Sequence, residues 1–501
     1  MEAYALESPH PAFDGSWELF GAVVSFLDGP QAAELSHADL EDRLEVDVRK
    51  VICRLYQDHL EVRAQRERRL SAVVDADGVV RERAEVGRER GLATVFGEVR
   101  VRRVAYRQAG HGDLHPADAG LNLPAEKHSH GLRRLAAVES VRGSFADAAD
   151  AIERTTGQRL GKRQVEQLTG RAAADFDAFY ASRRRHLSPA GAVLALTFDG
   201  KGVVMRPDGL RPATAKAAGR SRHKLATRLS KGEKRNRKRM AEVGAVYDVV
   251  PVPRTAEDIL SDPGTDRPRT AGPKATNKWR TASVVADAAT VIAEGFDEAD
   301  RRDPHHTRTW VALVDGNAHQ IDRIRAEADA RGVAVTIVAD FVHVIEYVWR
   351  AAWCFYPEGD PAAEVWVREQ GLRILDGRSG AAAAAIRRKA TYAGLTPTQR
   401  GAADTAADYL TRLRPHLGYA TALAHGWPIA TGVIEGACRH LVKDRMDITG
   451  ARWSLDGAEA ILKLRALVSN GDFDQYWAFH LAQEKQRIHT SRYLNGLAPA
   501  A

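Results

Sequence analysis

The sequence predicts an α/β protein: a mixed-sheet core interrupted by an all-helical insertion and preceded by N-terminal helical, small β and helix-turn-helix-like units. Three observations predict this. Between residues 191 and 340, apolar runs of strand length alternate with amphipathic helical stretches in the succession β-β-β-α-β-α-β. From 345 to about 425 the chain is rich in Ala, Arg and Leu without a strand pattern. Before 190, helical periodicity gives way to period-two alternation and then returns.

Taken in order, residues 1–75 form a helical unit, with Leu19, Val23, Phe26 and Leu27 at helical spacing ahead of the charged RAQRERRL. Residues 76–125 form a small β unit, because LATVFGEVRVRRVAYRQAG alternates around Gly97 and places Val95, Val99, Val101 and Val104 for a hairpin. Residues 126–188 are helical again. There, SFADAADAIERTTGQRLGKRQVEQLTGRAA has two short amphipathic segments around TTGQRLG, which fits a DNA-binding helix-turn-helix and equally any αα-corner. Lys162, Arg163 and Gln164 would open the second helix, where a DNA reader needs polar donors.

The first part of the core spans 189–344. AVLALTFDGKGVVM reads as a buried strand with turn chemistry at Asp199-Gly200, RMAEVGAVYDVVPV as a second strand and TASVV as a third. VADAATVIAEGFDEADRR is a helix, TWVALVDGN a strand, HQIDRIRAEADARG a helix and VAVTIVADF a strand. Strands separated by helices must run parallel by crossover, so the sheet is mixed. The helical insertion occupies 345–425, the last part of the core 426–480, and a tail 481–501.

The composition bounds the function classes. A count of 73 basic against 66 acidic residues, net +7, permits a polyanionic partner without demanding one. Cys53, Cys354 and Cys438 lie far apart with no CxxC pair, which argues against a zinc site or a disulfide framework. The N-terminus lacks a basic region followed by an apolar stretch, and no apolar run approaches the ~20 residues that span a bilayer. A cytoplasmic protein without membrane contact is expected.

Asp199 follows VLALTF and Asp315 follows WVALV, so two strand ends carry one carboxylate each, directly before a glycine. Paired carboxylates repel when ionised, and a divalent cation with hard oxygen ligands removes that cost. Two Mg²⁺ or Mn²⁺ ions about 3.5–4 Å apart can clamp the attacking and leaving oxygens of a phosphodiester. Glu435 supplies the third acid, from the otherwise carboxylate-free ATGVIEGACRHLVK. If 433–446 is one α-helix, Arg439 and Lys443 share the face of Glu435 and Asp444 turns away.

Other residues have two readings each. The run RSRHKLATRLSKGEKRNRKRM, with Arg228, Lys231, Lys234, Arg235, Arg237, Lys238 and Arg239 against the single acid Glu233, is a solvated loop or a nucleic-acid contact. Asp340 and His343, in DFVH, are a helix cap with a first-turn histidine or a pair beside the metal site. Trp427, Trp453, Arg445 and Arg452 near Glu435 serve packing or base stacking.

TFDGKGVVMRPDGLR, KLATRLSKGEKRNRKRMAEVGAVYDVVPVPRT, TWVALVDGNAHQIDRIR, ADFVHVIEYVW and GWPIATGVIEGACRHLVKDRMDITGARWS together resemble the bacterial insertion-sequence transposases of the ISKra-four family, over roughly residues 90–480. The resemblance implies an RNase H-like core and a DDE transposase, with Asp199, Asp315 and Glu435 matching the family's three acids. The related Mutator-like enzymes carry an all-helical insertion between the second Asp and the Glu, and a D-x-x-H signature that Asp340 and His343 match. It further implies Mg²⁺ or Mn²⁺ as cofactor, element ends and target DNA as partners, and a homo-oligomer when two ends are paired. The alternatives are a structure-selective nuclease on the same fold and a non-catalytic DNA-binding derivative.

Overall fold

Capping residues and glycines punctuate the chain where its helices begin and end. The computed structural model describes residues 10–183, 191–220, 237–262, 268–448 and 450–500. The chain divides into two units, Met1–Ala181 with Asp472–Ala501, and Ser182–Gly471.

In the first unit, α1 (Asp14–Leu27) and α2 (His37–Arg66) form the predicted helical start, and the Ser36 side chain caps α2 by accepting the Asp39 amide. Strands β1 (Arg83–Thr94) and β2 (Gly97–Arg107) pair antiparallel as a hairpin closing at Thr94 and Gly97. The helices that follow include α3 (His130–Arg142), α4 (Phe145–Thr156) and α5 (Lys162–Ala172). A Ser144–Asp147 capping box starts α4, and Gly157, at φ 70°, ends it in the left-handed conformation that glycine adopts without strain.

The reading of 472–480 as core and 481–501 as a tail is corrected here. A helix over Phe473–Ile488 belongs to the first unit: fully buried His480 meets Asp175 at 2.6 Å, and Glu484 meets fully buried Arg133 at 2.7 Å. Tyr493, 3% exposed, joins Val73, Val104 and Leu114 in a small core. Sequence periodicity carries no record of such partners, which lie some 300 residues away in the chain.

In the second unit, the apolar runs become β3 (Val193–Val204), β4 (Lys238–Val249) and β5 (Ala275–Ser283), followed by α6 (Ala288–Arg302), β6 (Trp310–Val314), α7 (Ala318–Arg331) and β7 (Val335–Ala339). Hydrogen bonding orders one five-stranded sheet as β5-β4-β3-β6-β7. β4 is antiparallel to both β3 and β5, whereas β6 is parallel to β3 and to β7. The sheet is therefore mixed. Residues Val193–Phe198 of β3 and all of β6 are buried, which is why they read as unbroken apolar runs.

The expected turn at Asp199-Gly200 is absent. β3 runs through both residues to Val204, with Asp199 opposite Val243 and Gly200 opposite Glu242. A Cβ on Gly200 would meet only the terminal methyl of the exposed Met240 side chain, at 2.9 Å.

After β7 the chain forms only helices among its described residues up to 425: α8 (Phe341–Ala352), α9 (Pro361–Leu375), α10 (Ser379–Tyr392), α11 (Pro397–Arg412) and two shorter turns. Then come α12 (Gly432–Ala437), a π-helical segment (Cys438–Lys443), a last short turn (Asp444–Met446) and α13 (Leu455–Asn470). No described helix is long and apolar enough to cross a membrane.

Candidate metal centre

Parallel pairing places three aspartates in one register row. β3 and β6 pair Thr197 with Leu313, and two residues further along each strand lie Asp199 and Asp315. β6 and β7 pair Val314 with Ala339, and one residue further lie Asp315 and Asp340. The Asp340 amide still donates to the Val314 carbonyl at 2.8 Å, so the β6–β7 ladder reaches Asp340, whereas the last β3–β6 pair is Thr197 with Leu313. Neighbouring strands stand about 4.8 Å apart, and the carboxyl ends of parallel strands are where open α/β sheets bind ligands.

Each acid is held differently. Asp199 is half-buried; its Oδ1 accepts the Gly200 amide at 2.6 Å and its Oδ2 the Cys438 thiol at 3.3 Å. Burial pushes the Cys438 thiol up, and adjacent Asp199 adds to the rise, so the sulfur keeps its proton to donate. Asp315 is exposed and its Oδ1 accepts the Asn317 amide at 2.8 Å. The Tyr409 hydroxyl donates to the Asp315 carbonyl at 2.8 Å and Arg412 to the Gly316 carbonyl at 3.0 Å, which fixes the turn from the α11 side. Gly316 is at φ 95°, and a Cβ there would meet Leu413 at 2.5 Å, so this second glycine does serve a turn.

Asp340 is fully buried. Its Oδ1 caps α8 through the Val342 amide at 2.8 Å, and its Oδ2 accepts the amide of Thr431 at 3.3 Å and that residue's hydroxyl. The helix-cap reading of Asp340 therefore holds. Of the three predicted acids, Glu435 alone is grouped with the pair: ligand atoms of Asp340, His343 and Glu435 all lie within 4.8 Å of one another. Among the described residues this is the one such group, so Glu435 converges at that distance with Asp340 and His343 rather than with Asp199 and Asp315. Glu435 and Asp199 are linked instead through Cys438, three residues beyond Glu435.

The helix through Glu435 departs from the expected one. Residues 438–443 form a π-helix, in which i→i+5 bonding widens the turn. Arg465 donates Nε at 3.0 Å to the carbonyls of both His440 and Leu441, satisfying acceptors that the wider turn leaves open. As a result Arg439 lies 3.7 Å from Asp444 instead of diverging from it. Arg439 and Lys443 are both exposed.

The basic run is partly visible. Arg228, Lys231, Lys234 and Arg235 lie outside the described residues. Lys238 opens β4 and is exposed, and Arg237 is half-buried beside it. Arg239 ties two segments of the fold: its guanidinium donates to the Val284 carbonyl at 2.5 Å and the Gly209 carbonyl at 3.2 Å. At the start of α5, Lys162 and Arg163 are exposed, but the Gln164 side chain accepts the Gly161 amide at 3.0 Å and so caps its own helix. Trp453 is buried, donates to the Met446 carbonyl at 3.0 Å and carries Arg445 4.7 Å from its ring, which makes both packing residues. Trp427 stacks on His425 at 5.0 Å, and Arg452 is exposed.

Sequence reasoning missed Glu242. It lines a cavity of about 370 Å³ together with Asp199, Asp315, Gln320 and Arg323. Burial pushes its carboxyl above the ordinary range, Arg211 and Arg323 pull it back, and Asp199 and Asp287 add to the rise. An acid at the start of the apolar stretch EVGAVY was the available signal.

No protein-family model matches this chain, and no curated protein matches it.

Proposed function

We propose that the protein is a metal-dependent DNA transposase with an RNase H-like core, in line with the resemblance to insertion-sequence enzymes. The observation that carries this reading is that Asp199 within β3, and Asp315 and Asp340 just beyond the ends of β6 and β7, lie at matching positions on three adjacent parallel strands, with Glu435 within 4.8 Å of Asp340. The donor chemistry fits divalent cations: no described Lys or Arg is ion-paired with any of these four carboxylates, and Asp315 and Glu435 are open to solvent.

Asp199, Asp315 and Glu435 would hold the cations. A bound Mg²⁺ or Mn²⁺ pair supplies charge neutralisation at the scissile phosphate and at the attacking and leaving oxygens. The chain's own residues do the positioning. Cys438 orients the Asp199 carboxylate, Tyr409 and Arg412 hold the Asp315 turn, and the exposed Lys238, Arg439 and Lys443 offer charge to the DNA backbone. Hydrolysis at an element end frees a 3′-hydroxyl, and attack by that hydroxyl on target DNA joins the strands. Neither step needs a protein nucleophile.

Purified protein given labelled DNA bearing the ends of its element, with target DNA, tests this directly. Cleavage and joining are expected only with Mg²⁺ or Mn²⁺. Asp199→Ala, Asp315→Ala and Glu435→Ala should each abolish both while DNA binding survives. Cleavage in chelator, or an active Asp315→Ala protein, overturns the assignment, and cleavage without joining favours the nuclease.

A further inference from the structure

We infer that Asp340, His343 and Glu435 form a cation position of their own that selects a first-row transition-metal ion, Mn²⁺ before Mg²⁺. The inference deepens the metal-dependent reading and rests on it only through the shared Glu435.

Three observations carry it. The ligand atoms of the three residues lie within 4.8 Å of one another although they come from two separate helices, α8 and α12. Asp340 is a carboxylate with no exposure and no described cation paired with it. Two backbone amides, one hydroxyl and the start of α8 offset part of its burial cost, but buried carboxylates are ordinarily paired or bound to a metal. Those same hydrogen bonds fix the carboxylate's position, so a ligand oxygen is already oriented.

The third observation concerns His343. Its Nδ1 lies 3.5 Å from Glu346 Oε2, one turn further along α8. Metal-binding histidines almost always give one ring nitrogen to an outer carboxylate and the other to the ion, and Glu346 is placed for that outer role, leaving Nε2 as the ligand. An imidazole in the donor set discriminates between cations. Mg²⁺ keeps oxygen ligands and waters, whereas an imidazole favours the first-row transition ions, with affinity rising from Mn²⁺ toward Cu²⁺. Asp199 and Asp315 offer oxygen only, so the two positions differ in kind as well as in place.

The test uses the metal-free full-length protein and about one equivalent of Mn²⁺, without DNA. Pulsed electron paramagnetic resonance should show ¹⁴N coupling from a directly bound imidazole. His343→Gln should abolish that coupling, and Glu346→Gln should weaken Mn²⁺ binding on the order of 10–100-fold, read from the free-ion signal. Asp199→Asn should keep the coupling, because Asp199 is not in the donor set. Absence of ¹⁴N coupling in the parent protein, or its persistence in a folded His343→Gln protein, overturns the inference. If His343→Gln does not fold, coupling that Glu346→Gln leaves at full affinity overturns it equally. The outcomes separate from the function reading: coupling without any DNA cleavage would remove the transposase and keep this position, and Mg²⁺-driven cleavage without coupling would do the reverse.

Discussion

In the first unit, the charges around Asp175 are balanced by their neighbours. Arg487 bridges Asp175 at 3.0 Å and Glu484 at 2.6 Å, Glu484 reaches Arg133 at 2.7 Å, and His480 sits between Asp175 and Arg133. In the second unit, Asp199 within β3, Asp315 and Asp340 beyond the ends of β6 and β7, and Glu435 within 4.8 Å of Asp340 have no described Lys or Arg paired to them. Both regions bring charge together through residues far apart in sequence. The first neutralises it within the protein, and the second leaves it for something else to neutralise. Charge spent internally contributes to folding, and charge left unpaired is free to bind.

The sharpest way to break this comparison is to remove one partner from each region. Arg133→Leu takes one of two cations from buried Glu484 and the guanidinium neighbour from fully buried His480; breaking a buried pair outright costs about 3–5 kcal/mol, and Arg487, which stays on Glu484, sets the loss toward the lower end. Asp315→Asn removes an exposed charge from a crowd of like charges and should change stability by less than about 0.5 kcal/mol. Denaturant unfolding of the two variants measures both; equal losses would erase the distinction.

A smaller effect comes from divalent cations. A ligand that binds only the folded state at 100 times its Kd stabilises by about 2.7 kcal/mol, so Mn²⁺ should raise the unfolding temperature of the parent protein. Glu435→Gln should lose much of that rise, since Glu435 lies in the Asp340–His343 group and is also proposed as a ligand beside Asp199 and Asp315, whereas Arg133→Leu should keep it. A cation-induced rise that Glu435→Gln leaves intact would place the binding elsewhere.

Acid should separate the regions too. Burial works to raise the Glu484 carboxyl, but hydrogen bonds from Arg487 and Arg133 win and hold it at about 2, below its usual 4.5. The unfolded chain therefore takes up protons first, so this stabilisation is fully present above about pH 4.5 and is lost as pH falls toward 2. Burial also holds His480 below 6.5, with Arg133 acting the same way against Asp175. Its contribution starts to fade as pH falls through about 6.5, because only the unfolded imidazole then gains a proton. Stability curves of the parent protein and Glu484→Gln should converge at low pH. Parallel curves down to pH 3 would contradict the pairing.

The smallest expected effect lies at the π-helix. Arg439 and Asp444 form an exposed pair, and such pairs are worth about 0–1 kcal/mol. Asp444→Ala should leave stability nearly unchanged and free Arg439 for phosphate, speeding cleavage of pre-bound DNA slightly while Lys443→Ala slows it. A large loss on Asp444→Ala would mean that this pair holds the π turn itself.

The succession of strands and helices in 191–340 was legible in the sequence because burial on both faces and helical amphipathicity leave different periods in the chain. Asp199, Asp315, Asp340, His343 and Glu435 were legible as candidates because each acid stands at the edge of an apolar run or alone in one. Which of them meet was not. The row of three aspartates depends on the pairing of β3 with β6 and of β6 with β7, and register is a relation between strands that no single strand encodes. The grouping of Glu435 with Asp340 and His343 depends on how α12 docks beside α8. The π turn, whose His440 and Leu441 carbonyls accept Arg465 from α13, departs from the constant angle per residue of an α-helix. Glu242 and the place of residues 472–501 escaped for the same reason. Local periodicity decides which residues face a core, and only tertiary packing decides which charged side chains share a site or cancel each other.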